Sequence, residues 1–547
     1  MRFDYVIVGG GSAGCVLANR LSADPSRTVC LLEAGPADHS PLIHIPAGLL
    51  GIVPTGYLNW AFETVPQPGL HGRQGYQPRG RTLGGSCAIN AMIYVRGHRS
   101  DYDDWAALGN EGWAYDEVLP YFKRSEDQAR GPDAYHGCGG ELSVSDLRNP
   151  MAASHAFVES AVRAGLRQNR DFNGASQEGV GLYQVTQRDG RRCSSAVAFL
   201  RPASGRPNLT VMTRCHAEGI VLQGGRATGV RARVRGRREV IEAAREVVLA
   251  AGAFGSPQLL LLSGIGPRDE LSRHGIEVQI ESPGVGAGLT DHVDFALLYR
   301  SECRDLFGIT PRTALRGVKG LWDIRRGQGL LTTNYAEGGA FLCSRPGLER
   351  PDIQLHFVTG LVDDHSRQLH FHYGVSCHVC VLRPRSRGSV RLASRDPRAA
   401  PLIDPNFLGE EGDLRDLLAG VKAARDIMDG EALRPYRDGE MYTAAARSDD
   451  ELADWIRRRA DTLYHPVGTC RMGVDESAVV DPALRVRGVE ALRVADASVM
   501  PTLIGGNTNA PAIMVGEKAA DLILGRPATA SGSYPDLTSR RPVAAGS

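Results

Sequence analysis

Glycines in a phosphate-binding pattern, histidines, and a closely spaced cysteine pair are the residues of this sequence whose types and spacing could do chemistry. Gly9-x-Gly11-x-x-Gly14 lies where a short apolar run, 4–11, gives way to helical spacing, with Ala13, Leu17 and Leu21 on one side. A second apolar run, 28–35, follows. Strand, turn, helix and strand within about thirty residues is the setting in which this pattern binds a dinucleotide. Its glycines let the backbone turn tightly, approach a pyrophosphate and pack helix on strand, while Ser12 and Ala13 begin a helix whose free amides suit an anion. Glu33, nineteen residues past Gly14, is placed to accept hydrogen bonds from a ribose, and its charge disfavours a 2′-phosphate. The pattern does not choose between NAD and FAD. A further cluster, Gly284 to Gly288, lacks the third glycine and a following helix and reads as a turn. One dinucleotide site is therefore expected. If it holds FAD, no second fingerprint remains for a nicotinamide, so electrons would come from an organic substrate and leave to oxygen or an external carrier.

A histidine, with an ordinary pKa near 6.5, suits the removal of a hydroxyl proton at neutral pH. There are fifteen, and type alone singles out none of them. Cys377-His-Val-Cys380 has the look of a metal or redox motif. However, residues 374–382 alternate as a strand, and positions three apart on a strand point to opposite faces, so no metal is expected there.

These groups must be positioned by a chain of 547 residues carrying 63 basic and 62 acidic side chains. That balance excludes a strongly basic nucleic-acid binder and a highly charged disordered chain, and the length predicts two to four domains. Glycine, at 65 residues, is well above ordinary usage. Only Met1 and Arg2 precede the first apolar run, which leaves no room for a signal peptide. The longest apolar stretch, 247–266, is interrupted by Gly252, Gly255, Ser256, Pro257, Gln258 and Ser263 and does not read as a membrane span. Eleven scattered cysteines suit a reducing compartment, so a cytoplasmic location is the expectation. Four of the basic residues are lysine, and the densest arginine cluster, Arg231, Arg233, Arg235 and Arg237, alternates as one solvated strand face. Residues 527–547, rich in Pro, Ser, Gly and Ala, read as a disordered tail.

Further segments carry an identification: Gly80-Arg-Thr-Leu-Gly-Gly-Ser-Cys-Ala-Ile-Asn90, the stretch Gly252 to Gly266, Tyr464-His-Pro-Val-Gly-Thr-Cys-Arg-Met-Gly473, Val494-Ala-Asp-Ala-Ser498 and Gly506-Asn-Thr-Asn-Ala-Pro511. With the N-terminal fingerprint they resemble the glucose-methanol-choline (GMC) family of FAD-dependent oxidoreductases, over the chain to about residue 525. The likeness is greatest to the bacterial choline and aliphatic-alcohol dehydrogenase branch, as 334–341 and 382–392 also suggest. The resemblance implies an α/β fold: a doubly wound, Rossmann-like FAD domain from 1–150, 192–297 and 463–526, and a substrate domain on an antiparallel sheet from 151–191 and 298–462. It assigns cofactor contacts to Gly9, Gly11, Ser12, Ala13, Gly14, Glu33, Ala34, Leu83, Gly85, Asn90, Ala91, Met92, Ile93, Ala217, Asp496, Ala497 and Asn509. Cys87 stands where the family usually has serine, and Gly288 and Thr290 replace the usual Asn and Gln. Some relatives tether the flavin to a histidine in the first loop; Ile89 holds that position here, so the FAD should be non-covalent.

By the same resemblance His465 is the catalytic base and Asn509, forty-four residues on, its partner across the flavin, donating to the substrate oxygen. His356, His365, His370 and His372 read as surface or lining residues of the substrate domain, and Glu337 as a structural carboxylate rather than an anchor for a cationic substrate. The implied activity is oxidation of a primary alcohol to an aldehyde by hydride transfer to flavin, with electrons passed to a quinone-like acceptor. An oxidase that makes hydrogen peroxide and a non-redox flavoprotein such as a hydroxynitrile lyase remain open, as does a cofactor-free binding module. The partners implied are a small alcohol and an electron acceptor, without nucleic acid. A quinone would bring the protein to the inner face of a membrane as a peripheral contact.

Overall fold

The run Tyr5 to Val8 is apolar on both faces because both faces are covered. In the computed structural model, which describes residues 1–526, it forms the buried half of the strand Arg2–Val8. The segment 527–547, read above as a tail, lies outside the described residues. Val29–Leu32 pairs with this strand on one side and Arg237–Leu249 on the other, both parallel. Leu209–Met212 and Leu492–Val494 extend the parallel order at either side, so strands from the first, middle and last parts of the chain share one sheet. Buried parallel strands have no use for alternation, which is why these read as continuous apolar runs.

The first half of Arg237–Leu249 instead pairs antiparallel with Arg226–Val234, and that with Cys215–Gln223. Here the arginine cluster departs from the expectation of one strand face. Arg226–Val234 ends before Arg235, Arg235 and Gly236 turn with φ of 48° and 87°, and Arg237 starts the return strand. Two successive positive-φ residues make the tight hairpin turn that matches strand twist. Only Arg231 and Arg233 share the first strand.

The second sheet is antiparallel, ordered Gly439–Glu440, Val293–Ser301, Tyr373–Val381, Ile353–Val358, Ala336–Leu342, Gly179–Leu182, with Asp461–Thr462 joined to Val293–Asp294. The helix Glu411–Met428 covers one face so closely that a Cβ on Gly420 would lie 2.9 Å from the Val379 side chain. Cys377 packs in the core on that face, whereas Cys380 packs with Tyr183 and Phe341 on the other. The two thiols therefore cannot share a metal. The expected pairing of a doubly wound sheet with an antiparallel one is what the chain forms. Among the described residues, no helix is long and apolar enough to cross a membrane.

Candidate active site

The helix Ser12–Leu21 is the first device of the site. Its N-cap is Gly11, which supplies no capping side chain, so its leading amides face outward. Gly9 has φ 108°, and a Cβ there would lie 2.3 Å from the Ala250 carbonyl oxygen. A Cβ on Gly14 would lie 1.9 Å from the carbonyl oxygen of Gly9, so this glycine holds helix against strand and does not face the opening. Around Gly11, by contrast, nothing lies within 4 Å of a Cβ position on the far side. The second glycine loop sits over it: a Cβ on Gly85 would be 2.7 Å from Gly11 Cα.

From this cradle a cavity of about 1410 Å³ runs on to residues of the second sheet. Gly9, Gly11, Ser12, Ala13, Glu33, Ala34, Gly85, Asn90, Ala91, Met92, Ile93, Ala217, Asp496, Ala497 and Asn509 line it, and Gly14 and Leu83 lie behind it. Glu33 accepts the amides of Gly10 (2.9 Å) and Gly35 (2.7 Å), and burial still pushes its carboxyl up to about 7. Hydroxyl donors from a ribose would favour its charged form. Asp496 accepts from the Gly252 amide, the Ser256 hydroxyl and the Ser498 amide, which fixes the turn bearing Ala497 to the helix Gly252–Leu262. Asn90 accepts from the Met92 amide and from Arg192, and Met92 itself is left-handed at φ 59°. Three buried polar groups on the wall have atoms without hydrogen-bond partners, Asn334 at Oδ1, Arg79 at Nε and Nη2, and His356 at Nδ1. An extended cavity with bare amides at one end and open polar groups along it fits FAD.

The far end is made of side chains. His465 Nε2 lies 3.2 Å from Asn507 Nδ2, and its Nδ1 lies 2.9 Å from His292 Nδ1. Asn507 Oδ1 accepts from Gln354 Nε2 at 3.1 Å, which orients the amide with its NH2 toward His465. An amide NH2 can only donate, so this network assigns Nε2 as the acceptor and puts the neutral ring's proton on Nδ1, toward His292. Asp291 Oδ1 accepts the His465 backbone amide at 2.8 Å and its Oδ2 accepts the Thr462 hydroxyl at 2.5 Å. Burial, with His292, His356 and Arg79 nearby, holds His465 well below the ordinary histidine range. Burial likewise lowers His292 to about 3 and raises Asp291 to about 6.

Tyr464, the residue before His465, is left-handed at φ 74°, a strained state for a tyrosine. Three hydrogen bonds hold it there: Arg79 Nη1 donates to its carbonyl, its amide donates to Thr462 Oγ1, and its hydroxyl meets His365 Nδ1 at 2.6 Å.

One predicted partner is displaced. Asn509 opens the helix Asn509–Leu524, and its Oδ1 accepts from Ser12 Oγ at 2.7 Å, so it sits on the cradle side. The amide beside His465 belongs to Asn507. Two asparagines two residues apart, at the entry to a helix, are indistinguishable by type; the backbone turn at Thr508 decides which faces the histidine. Asp291, His292 and Gln354 were not singled out by sequence. The first two adjoin Thr290, whose backbone pairs with Val467 at 2.9 and 3.1 Å, so the departure from the usual residues leaves that main-chain brace intact. His356, His365 and His378 line the cavity. His370 pairs with Asp363 and His372 with the Tyr373 carbonyl, away from it. Glu337 accepts from the Met151 amide and the Ser154 and Thr333 hydroxyls, each at 2.7 Å, and is a structural brace.

A glycine-cradled dinucleotide site that continues into a buried histidine, with an amide donor beside it, defines an oxidoreductase of the flavoprotein type. The chain belongs to the GMC oxidoreductase family: residues 3–294 match its N-terminal model and 384–516 its C-terminal one. It is similar to an alcohol dehydrogenase (acceptor) of Pseudomonas putida, 47% identical over 95% of this chain and 96% of the relative. An oxygen-dependent choline dehydrogenase of Rhizobium rhizogenes is 43% identical over 96% of each chain. Among solved structures, pyridoxine 4-oxidase from Mesorbium loti superposes with a TM-score of 0.87 at 32% identity, over 96% of this chain and all of that one.

Proposed function

We propose that this protein oxidises a neutral primary alcohol to its aldehyde, with non-covalent FAD as cofactor and a quinone-like compound as final electron acceptor. The observation that carries the reading is the pairing of a hydrogen-bond acceptor, His465 Nε2, with a donor, Asn507 Nδ2, at the end of the cavity. Bound FAD supplies the hydride acceptor. Asn507 donates to the alcohol oxygen and steadies the charge that grows on it, while His465 Nε2 takes the hydroxyl proton. His292, held neutral by burial, accepts a hydrogen bond from His465 Nδ1–H and so keeps Nε2 the unprotonated nitrogen. Because its surroundings disfavour the cation, a protonated His465 gives up its proton readily.

Ile89 lines the cavity and offers no nucleophile for a tether. Tyr335, Val358, Val362 and Leu463 line the same cavity, and Glu337 is occupied by its three donors, which supports a neutral alcohol over choline. The test is anaerobic titration of the yellow protein with a medium-chain alcohol and with choline. The alcohol should bleach the oxidised-flavin absorption and the choline should not. A flavin that stays oxidised with every alcohol would end the redox reading, and hydrogen peroxide formed in step with alcohol loss would replace the quinone by oxygen.

A further inference from the structure

Helices that pack on a core turn their apolar stripe inward; Pro311–Asp323 turns its stripe out. By local chemistry it is a sound helix, with Pro311 in its first turn and Thr310 accepting the Thr313 amide. Its docked side is the small one. Gly320 is its buried residue and lies so near Leu331 that a Cβ there would be 2.9 Å from the leucine side chain. Leu315, Val318, Leu321 and Trp322 fall on the outer side, exposed at 73%, 60%, 52% and 70%.

Arg312, Arg316 and Lys319 run along one flank of this stripe, and Arg325 and Arg326 continue past its end; Asp323 is the acidic residue between 311 and 326. The Arg325 guanidinium lies 4.7 Å over the Trp322 ring. At its root the helix is tied to the second sheet, where Gly308 bridges Tyr373 and Thr310 Oγ1 lies 2.9 Å from the Tyr373 hydroxyl. The segment leading into Tyr373 carries Leu369 and Phe371, exposed at 57% and 74%, and begins with the cavity-lining Val362, His365 and Ser366. Leu369 and Phe371 thus share one stretch of chain with the cavity wall, and the helix is tied to the end of that stretch at Tyr373.

A second copy of this chain, docked face to face, would set five cations against five. An anionic bilayer complements both features, taking the apolar stripe into the acyl boundary and the cations at its headgroups. We propose that Pro311–Asp323, with Leu369 and Phe371, is a docking surface for an anionic lipid bilayer. As an account of where a quinone is met, this rests on the function proposed above; the binding itself does not.

The test is flotation of the FAD-loaded full chain with vesicles of phosphatidylcholine alone and with about one third phosphatidylglycerol, with brominated lipids to quench tryptophan. The protein should float with the anionic vesicles, and Trp322 should be quenched. Each basic residue near the surface should contribute about fivefold, so Lys319→Glu with Arg326→Glu should weaken binding by at least about twenty-fivefold. Leu315→Ser with Trp322→Ser should weaken it at least about tenfold, and both double variants should keep full turnover with a soluble dye. No flotation of the wild type, or flotation that survives both variants, overturns the proposal. So does a concentration-dependent dimer that Leu315→Ser/Trp322→Ser dissolves in place of vesicle binding, which would give the face to a second copy. Reduction of a short-chain quinone in detergent separates the two claims. Vesicle binding without quinone reduction leaves the docking surface standing and removes the acceptor, and quinone reduction without vesicle binding does the reverse.

Discussion

The two ends of the cavity are made differently. Around Gly9, Gly11 and Gly85 the wall is main chain, shaped by positions where a Cβ would strike a backbone atom or close the open space. Around His465 the wall is side chain, drawn from His356, Tyr464, His465 and Asn507, and Asp291, His292 and Gln354 hold His465 and Asn507 from behind by hydrogen bonds. A backbone wall fixes shape and tolerates little but glycine, so it binds. A side-chain wall fixes the positions of protons, so it reacts.

That contrast breaks most sharply at His465. His465→Ala should lower turnover about a thousandfold, and at least a hundredfold, with the flavin absorption of the purified protein unchanged. Near-normal turnover would move the base elsewhere. The two asparagines test the division directly. Asn507→Ala should lower kcat about a hundredfold with flavin retained, as expected for loss of one donor to a developing oxyanion. Asn509→Ala should chiefly weaken flavin retention, by about fivefold for one hydrogen bond, as read by equilibrium dialysis. The reverse pattern would restore Asn509 as the partner of the base.

His356 probes the reactive end through pH. Burial lowers its pKa to about 3, so between about pH 6.5 and 3 the unfolded chain binds a proton there that the folded chain does not. The sign follows: this histidine makes stability fall as pH drops through that window. His356→Gln should therefore lose about 2 kcal/mol less than the wild type between pH 7 and 5, by denaturant titration of the holoenzyme. Equal losses would mean that the ring is solvated. Glu33→Gln tests the main-chain end, with an effect between those of the two asparagines. Replacing one carboxylate oxygen by a donor breaks one of the contacts to Gly10 and Gly35 and should weaken FAD binding about tenfold, without altering the alcohol preference.

What could be read from sequence follows the same division. Gly9, Gly11, Gly14 and Glu33 were legible because a main-chain constraint excludes other residue types over a short, fixed spacing. His465 was legible only through the motif around it. Asn507 was not, since whether 507 or 509 faces the histidine depends on the backbone at Thr508. Gln354 is farther still from local signal: it acts from a strand of the second sheet, and its contact with Asn507 exists only once that sheet stands beside the first. The arginine hairpin shows the limit of alternation, which ran on across Arg235 and Gly236 although the strand had already turned.

The helix Asn509–Leu524 packs on Ser12–Leu21 closely enough that a Cβ on Gly516 would be 2.9 Å from Ala13. The fingerprint leaves the ribosome long before its supporting helix and the strand Leu492–Val494, since Ser12 and Asn509 are 497 residues apart. During synthesis, therefore, the nascent chain carries an unfinished cofactor cradle until that helix has emerged, and stable flavin loading must wait for it.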